Sequence, residues 1–171
     1  MYASFRLRFK AFMIDYILIL SYLGFLFIAS VFLFPSLQEL FKGSLVVAQF
    51  SGFIMVTLPV SLYFIISDSK NVGQSFGKRK SGIKVVKKSG EAVPLLQMAF
   101  RTILKLLPWE FSHFLVYRLI DMGDGEFPFT YTVIGGLIYA LMFSYILTCI
   151  FTKRKQSIYD LLAKTYVLKV Q

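Results

Sequence analysis

One cysteine, one histidine and one tryptophan stand in 171 residues, with nine carboxylates against nineteen lysines and arginines. The lone Cys149 excludes an intrachain disulfide, and a thiol inside an apolar run most often packs as a small hydrophobe. No nucleophile, base and orienting carboxylate form a recognisable catalytic set, and the spacing of the serines and aspartates names no reaction. The single histidine, His113, stands three residues from Glu110, and two ligands are too few for zinc. Nor does "LPWEFSH" carry the second histidine of the HExxH hydrolase pattern. "GQSFGKRKSG" also falls short of a phosphate-binding loop, because Gly77 and Lys78 are followed by Arg79 rather than Ser or Thr. The chain is therefore read as a non-enzyme with no catalytic residues, no cofactor and no metal.

What is present is apolar. Hydrophobic residues make up 57% of the chain and aromatic residues 18%, including nineteen phenylalanines, while only 16% are charged. This exceeds the roughly 45 to 50% of a soluble domain and points to an integral membrane protein. At roughly 20 residues per crossing the length allows four helices and one modest loop, a single membrane domain over 1–171. Three crossings are plain: residues 11–34, 45–66 and 131–151. The first is too long for the core of a signal peptide and contains Asp15, so it reads as a retained helix. The second contains Pro59, which implies a kink whose freed carbonyl needs a hydroxyl or a neighbouring helix. In the last, Gly135 and Gly136 could admit another helix at close range.

The stretch 95–121 is harder, because Arg101, Lys105, Glu110, His113 and Arg118 interrupt it. Up to Leu107 it resembles an interfacial helix with a basic face, and Pro108 opens a shorter second part, so the expected element is kinked or preceded by an interfacial helix. Charge distribution argues that it crosses. Arg6, Arg8 and Lys10 precede the first helix, Lys153, Arg154 and Lys155 follow the last, and seven further cations occupy 67–93 against Asp68 and Glu91. "IDMGDGEFP" is purely acidic. Lys and Arg concentrate on the cytoplasmic side, so both termini (the tail being 152–171) and the basic loop are expected there. The fold class expected is thus all-α, with four transmembrane helices. A small cytoplasmic hairpin is signalled by alternating Ile83, Val85 and Val86 before the turn "KSGE", and "TYVLKV" is a candidate partner strand.

An ionisable group within the bilayer costs about 2.5 to 3.5 kcal/mol at mid-depth, which makes it a functional candidate. Asp15 lies nearer the cytoplasmic edge, where Arg8, two turns earlier, can snorkel towards it or another segment can neutralise it. Its readings are a polar clasp, a substrate or ion relay, or tolerance at the interface. Glu110 and His113 share a helical face and can serve a proton or cation pathway, or pair with Lys105, Arg101 or Arg118. The basic loop reads as a surface against anionic headgroups. The aromatic residues mark no nucleic-acid site, because many of them must face lipid.

"RFKAFMID", "GQSFGKRKSGIKVVKKSGEAVP" and "RKQSIYDLLAKTYVLKV" together resemble the RDD family of small multipass bacterial membrane proteins. The arginine and two aspartates that name the family match Arg8, Asp15 and Asp160. Tyr159 departs from the pattern, since family members often have histidine there. The resemblance implies residence in the bacterial cytoplasmic membrane and a part in transport, and it makes Asp160 the expected partner of Arg8, joining helix one to the C-terminal element beside Asp15. The expected function is movement of a small ion or solute, with proton or sodium coupling in which Asp15, Glu110 and His113 relay or coordinate the cation and Arg8 tunes Asp15; Arg8, Asp15, Asp160, Glu110, His113 and Arg101 are the candidates for an ion relay or a polar clasp. A path through so few helices would call for a homodimer. The alternative is a noncatalytic scaffold that binds lipid or a partner protein through its basic face.

Overall fold

The computed structural model describes residues 1–123 and 125–170; Asp124 of the acidic loop and Gln171 of the tail lie outside the described residues. α1 (Phe5–Ile28) continues through a wider π turn to Leu33. A short turn over Pro35–Gln38 and α2 (Glu39–Lys42) lead to α3 (Leu45–Gly52), whose first turn is capped by the Ser44 hydroxyl accepting from the Val47 amide at 3.4 Å. A second π turn over Phe53–Thr57 joins α3 to α4 (Leu58–Asp68). Then come α5 (Phe76–Lys80), β1 (Ile83–Lys87), α6 (Leu95–Met122), α7 (Phe129–Phe151), α8 (Ile158–Leu162) and β2 (Thr165–Lys169).

Among the described residues, three helical stretches are long and apolar enough to cross a membrane: Phe5–Leu33, Leu45–Asp68 and Phe129–Phe151. Their large side chains face outward, with Phe32 74% and Phe129 80% exposed, as helices do when lipid is to be the solvent. α1 begins earlier than its apolar run, so Arg6, Arg8 and Lys10 lie within the helix. α6 differs from its expectation more. It is one uninterrupted helix of 28 residues, about 40 Å at 1.5 Å per residue, and Pro108 sits inside it.

The reason it does not break is local. A proline removes the hydrogen bond to the carbonyl four residues earlier, leaving that of Leu104 free. The Tyr145 hydroxyl of α7 donates to the Leu104 carbonyl at 2.6 Å. The same device recurs at Pro59. The carbonyl it frees, that of Met55, accepts from the Tyr22 hydroxyl of α1 at 2.6 Å. A tyrosine from a neighbouring helix therefore satisfies each carbonyl in place of water, and ties two helices together in doing so.

Close helix approach occurs elsewhere than at the expected glycines. Among the described residues, a Cβ at Gly136 would meet nothing within 4 Å, and one at Gly135 would make only ordinary contact with Leu115. Gly52 is the position where space is lacking: a Cβ there would run into the Tyr117 hydroxyl and come within 3.1 Å of its Cζ, so α3 lies directly against α6.

The buried core gathers at the basic end. β1 and β2 pair antiparallel with Val85 opposite Val167. The extended N-terminus adds to the other side of β2, Ala3 N–H donating to the Val167 carbonyl at 2.8 Å. After the turn at Gly90, Val86 bridges Ala92, completing a small hairpin. Ala3, Ala11, Ile83, Val85, Val93, Met98 and Val167 pack beneath this sheet, joining the starts of α1 and α6 to the strands.

Candidate functional site

Two buried carboxylate centres lie at the basic end. The first is Asp160, fully buried in α8. Oδ1 accepts from Arg101 Nε at 2.9 Å and Nη2 at 2.6 Å, and Oδ2 accepts from Arg8 Nη1. The Ser157 amide at 3.3 Å and the Thr165 hydroxyl at 3.4 Å complete the shell. Burial works against ionisation, but the Arg101 and Arg8 guanidiniums outweigh it and hold the carboxyl below the usual carboxylate range. Arg101 also lies over the Tyr159 ring, 5.0 Å from its centroid. Burial and then the Asp160 charge push the Tyr159 phenol up, so it stays neutral. One aspartate thus binds the first turns of α1, the start of α6 and the C-terminal element.

The second centre is Asp15, 1% exposed. Oδ1 accepts from the Tyr63 hydroxyl and from the Gly77 amide, both at 2.7 Å, and Oδ2 accepts from the Ser75 hydroxyl at 2.7 Å. The Tyr63 oxygen in turn accepts from the Phe76 amide at 3.0 Å. Gly77 is required by the approach: a Cβ there would collide with the Ala11 carbonyl and come within 2.8 Å of Asp15 Cγ. Beside it Lys78 turns inward and donates to Asp68 Oδ2 at 2.6 Å, while Asp68 Oδ1 accepts from the Ser75 amide at 3.0 Å. The "SFGK" stretch is therefore a plug seated on α1 and α4, and Lys78 is withdrawn from the exposed basic surface.

The expected Arg8, Asp15 and Asp160 clasp accordingly resolves into two centres. Arg8 reaches Asp160, and Asp15 takes neutral donors from the loop and α4 instead. The physical reason is that Arg8 is already drawn to a fully buried carboxylate, while α5 supplies ready amide and hydroxyl donors. Glu110 and His113 lie apart from both centres. Glu110 accepts from the Thr57 hydroxyl at 2.8 Å, at the π turn before Pro59, and His113 Nδ1 stands 3.9 Å from it. Neither Lys105 nor Arg101 pairs with Glu110, and Arg118 donates to Gln49 at 3.1 Å. No group of three or more potential metal ligands occurs among the described residues.

Between α1, α6 and α7 lies a cavity of about 470 Å³. Phe9, Phe12, Leu106, Trp109, Met142 and Ile146 supply apolar wall, and Arg8, Asp15, Lys78, Arg101 and Lys105 supply ionisable groups. Lys105, one turn beyond Arg101, places its ammonium 3.8 Å from the Phe64 ring centroid. Tyr63, Asp68, Ser75, Lys78 and Lys105 were not singled out as site residues from the sequence. The four-residue spacing of Arg101 and Lys105 was the one available signal, because it sets both on one face of a helix.

A model of the RDD family matches residues 2–164, which takes in both carboxylate centres apart from Thr165 and every wall of the cavity except Val167. The chain belongs to the RDD family. It is a multipass membrane protein, and RDD family proteins are not known enzymes. No curated protein and no solved structure matches it. Within this RDD chain, Arg8 and Asp160 together draw the C-terminal element onto the start of α1, and Asp15 draws the α5 loop onto the same helix.

Proposed function

We propose that the chain moves a small ion or solute across the bacterial cytoplasmic membrane, with α6 as a fourth crossing and both termini in the cytoplasm. The observation that carries this reading is the cavity between α1, α6 and α7, whose wall holds Arg8, Asp15, Arg101 and Lys105 beside apolar side chains. Ionisable groups around a cavity between helices are expensive, and a solute path gives them a use. α6 supports its own crossing by length, by the tyrosine bond that carries it past Pro108, and by contacts with α3 and α4. Asp160 acts as the fixed anchor of the mouth, Asp15 is the group that exchanges a proton or sodium ion, and Glu110 with His113 forms a separate relay station away from the cavity. Two copies would enlarge the path.

Purified protein in liposomes carrying a pH-sensitive dye tests this under imposed pH or sodium gradients. Gradient-driven flux that falls in Asp15→Asn and Glu110→Gln is expected; unchanged flux in both variants removes the coupling role, and no flux in the native protein overturns the reading. The exposed Lys70, Arg79, Lys80 and Lys88 favour a second reading, a scaffold that holds anionic lipid or a partner protein by its basic face. Charge reversal at these four positions would then abolish recovery of a stable partner and leave liposome flux absent throughout.

A further inference from the structure

The cavity has an imbalance that specifies its occupant. Four cations line it, Arg8, Lys78, Arg101 and Lys105, together with the carboxylate of Asp15. Lys78 is neutralised by Asp68 at 2.6 Å, and Arg101 by Asp160 at 2.6 Å. Asp15 is committed to hydroxyl and amide donors. Arg8 shares Asp160 with Arg101, and its Nη2, on a side chain nine-tenths buried, has no hydrogen-bond partner among the described residues. The Lys105 ammonium has no carboxylate within salt-bridge distance among the described residues and rests on the Phe64 ring. Of the four basic groups, Lys105 alone has no carboxylate partner among the described residues. The rest of the wall is apolar, which disfavours a small hydrated anion and suits a hydrocarbon chain.

We propose that this cavity binds a singly charged anionic amphiphile, its acidic head at Lys105 and Arg8 and its chain along Phe9, Phe12, Trp109 and Met142. This deepens the transport reading by naming the solute class, while binding itself does not depend on transport. A phosphodiester lipid and a free fatty acid share the required chemistry, a compact monoanion on an apolar chain.

Trp109 is the only tryptophan in the chain and lines the cavity, so its fluorescence reports occupancy. Detergent-solubilised full-length protein is titrated with chain-brominated phosphatidylglycerol, phosphatidylcholine and palmitate, and separately with inorganic phosphate as competitor. The expected result is saturable quenching by one or both anionic probes at about tenfold lower mole fraction than phosphatidylcholine. Lys105→Met and Lys105→Gln lose that preference about tenfold, and Lys42→Met on the exposed α2, outside both the cavity and the basic loop, keeps it. Phosphatidylglycerol outrunning palmitate assigns a lipid headgroup, and the reverse assigns a fatty acid. Equal quenching by all three probes overturns the proposal. So does displacement of the anionic probes by inorganic phosphate, or a preference that survives in both Lys105 variants. Should either variant misfold on gel filtration, the native protein's discrimination between anionic and zwitterionic probes decides alone. Selective quenching without liposome flux would overturn transport and retain the site; flux without selectivity would do the opposite.

Discussion

Asp15 and Asp160 are buried to the same degree within one end of the molecule, and they are kept there by opposite means. Asp160 has two guanidiniums, so its surroundings carry more positive charge than it cancels. Asp15 has no cation bonded to it among the described residues; a phenol, a serine hydroxyl and a backbone amide share its charge. Removing the charge should therefore have unequal consequences. At Asp160 it strands two buried cations, whereas at Asp15 it leaves neutral donors that can partly reorient.

The largest expected effect is at Asp160→Asn, a loss of about 3 to 5 kcal/mol because breaking a buried pair leaves its partner charges uncompensated. Thermal unfolding in detergent should fall sharply, and an additional Arg8→Met should recover part of it. Asp15→Asn should cost less, about 1 to 3 kcal/mol, since the Gly77 amide or the Tyr63 hydroxyl loses an acceptor while Ser75 can turn. Equal losses at the two positions would erase the distinction drawn between them.

Acid sharpens the same contrast. The folded Asp160 carboxyl ionises below its ordinary range, so its contribution is complete above the unfolded carboxylate pKa of about 4 and disappears as pH falls through the lower folded value. Melting temperatures of the native protein and Asp160→Asn should converge below about pH 4 and stay separated at neutral pH. Tyr145→Phe and Tyr22→Phe should each cost about 1 kcal/mol by orphaning a carbonyl that a proline has freed. A silent Tyr145→Phe would mean that α6 crosses Pro108 without that bond. Glu91→Gln, on a fully exposed side chain facing Lys87, should not change the melting temperature measurably.

Much of the fold was legible because it rests on one-dimensional signals. Apolar length marked the three plain spans, and the alternation at Ile83, Val85 and Val86 with "TYVLKV" marked strands that pair across 77 residues of intervening chain. Pro59 announced a freed carbonyl but not who would take it. A hydroxyl or a neighbouring helix could serve, and the bond comes from Tyr22, a hydroxyl on another helix. Pro108 suggested a boundary for the same reason, and the missing information was again a distant tyrosine. The site was less legible. Arg8, Asp15, Asp160 and Arg101 stood out as charges near apolar sequence, but Lys105 looked like one more cation on a basic face.

By itself the sequence determined that this chain is an RDD-type membrane protein with its positive charge gathered at one end, since apolar length and charge sign are carried residue by residue. Only the tertiary structure decided which carboxylate meets which cation. Pairing depends on competition among groups far apart in the chain: Arg8 and Arg101 converge on Asp160, Lys78 closes on Asp68, and Lys105 is left over beside an apolar cavity. That remainder is a sum over partners, and no local pattern contains it.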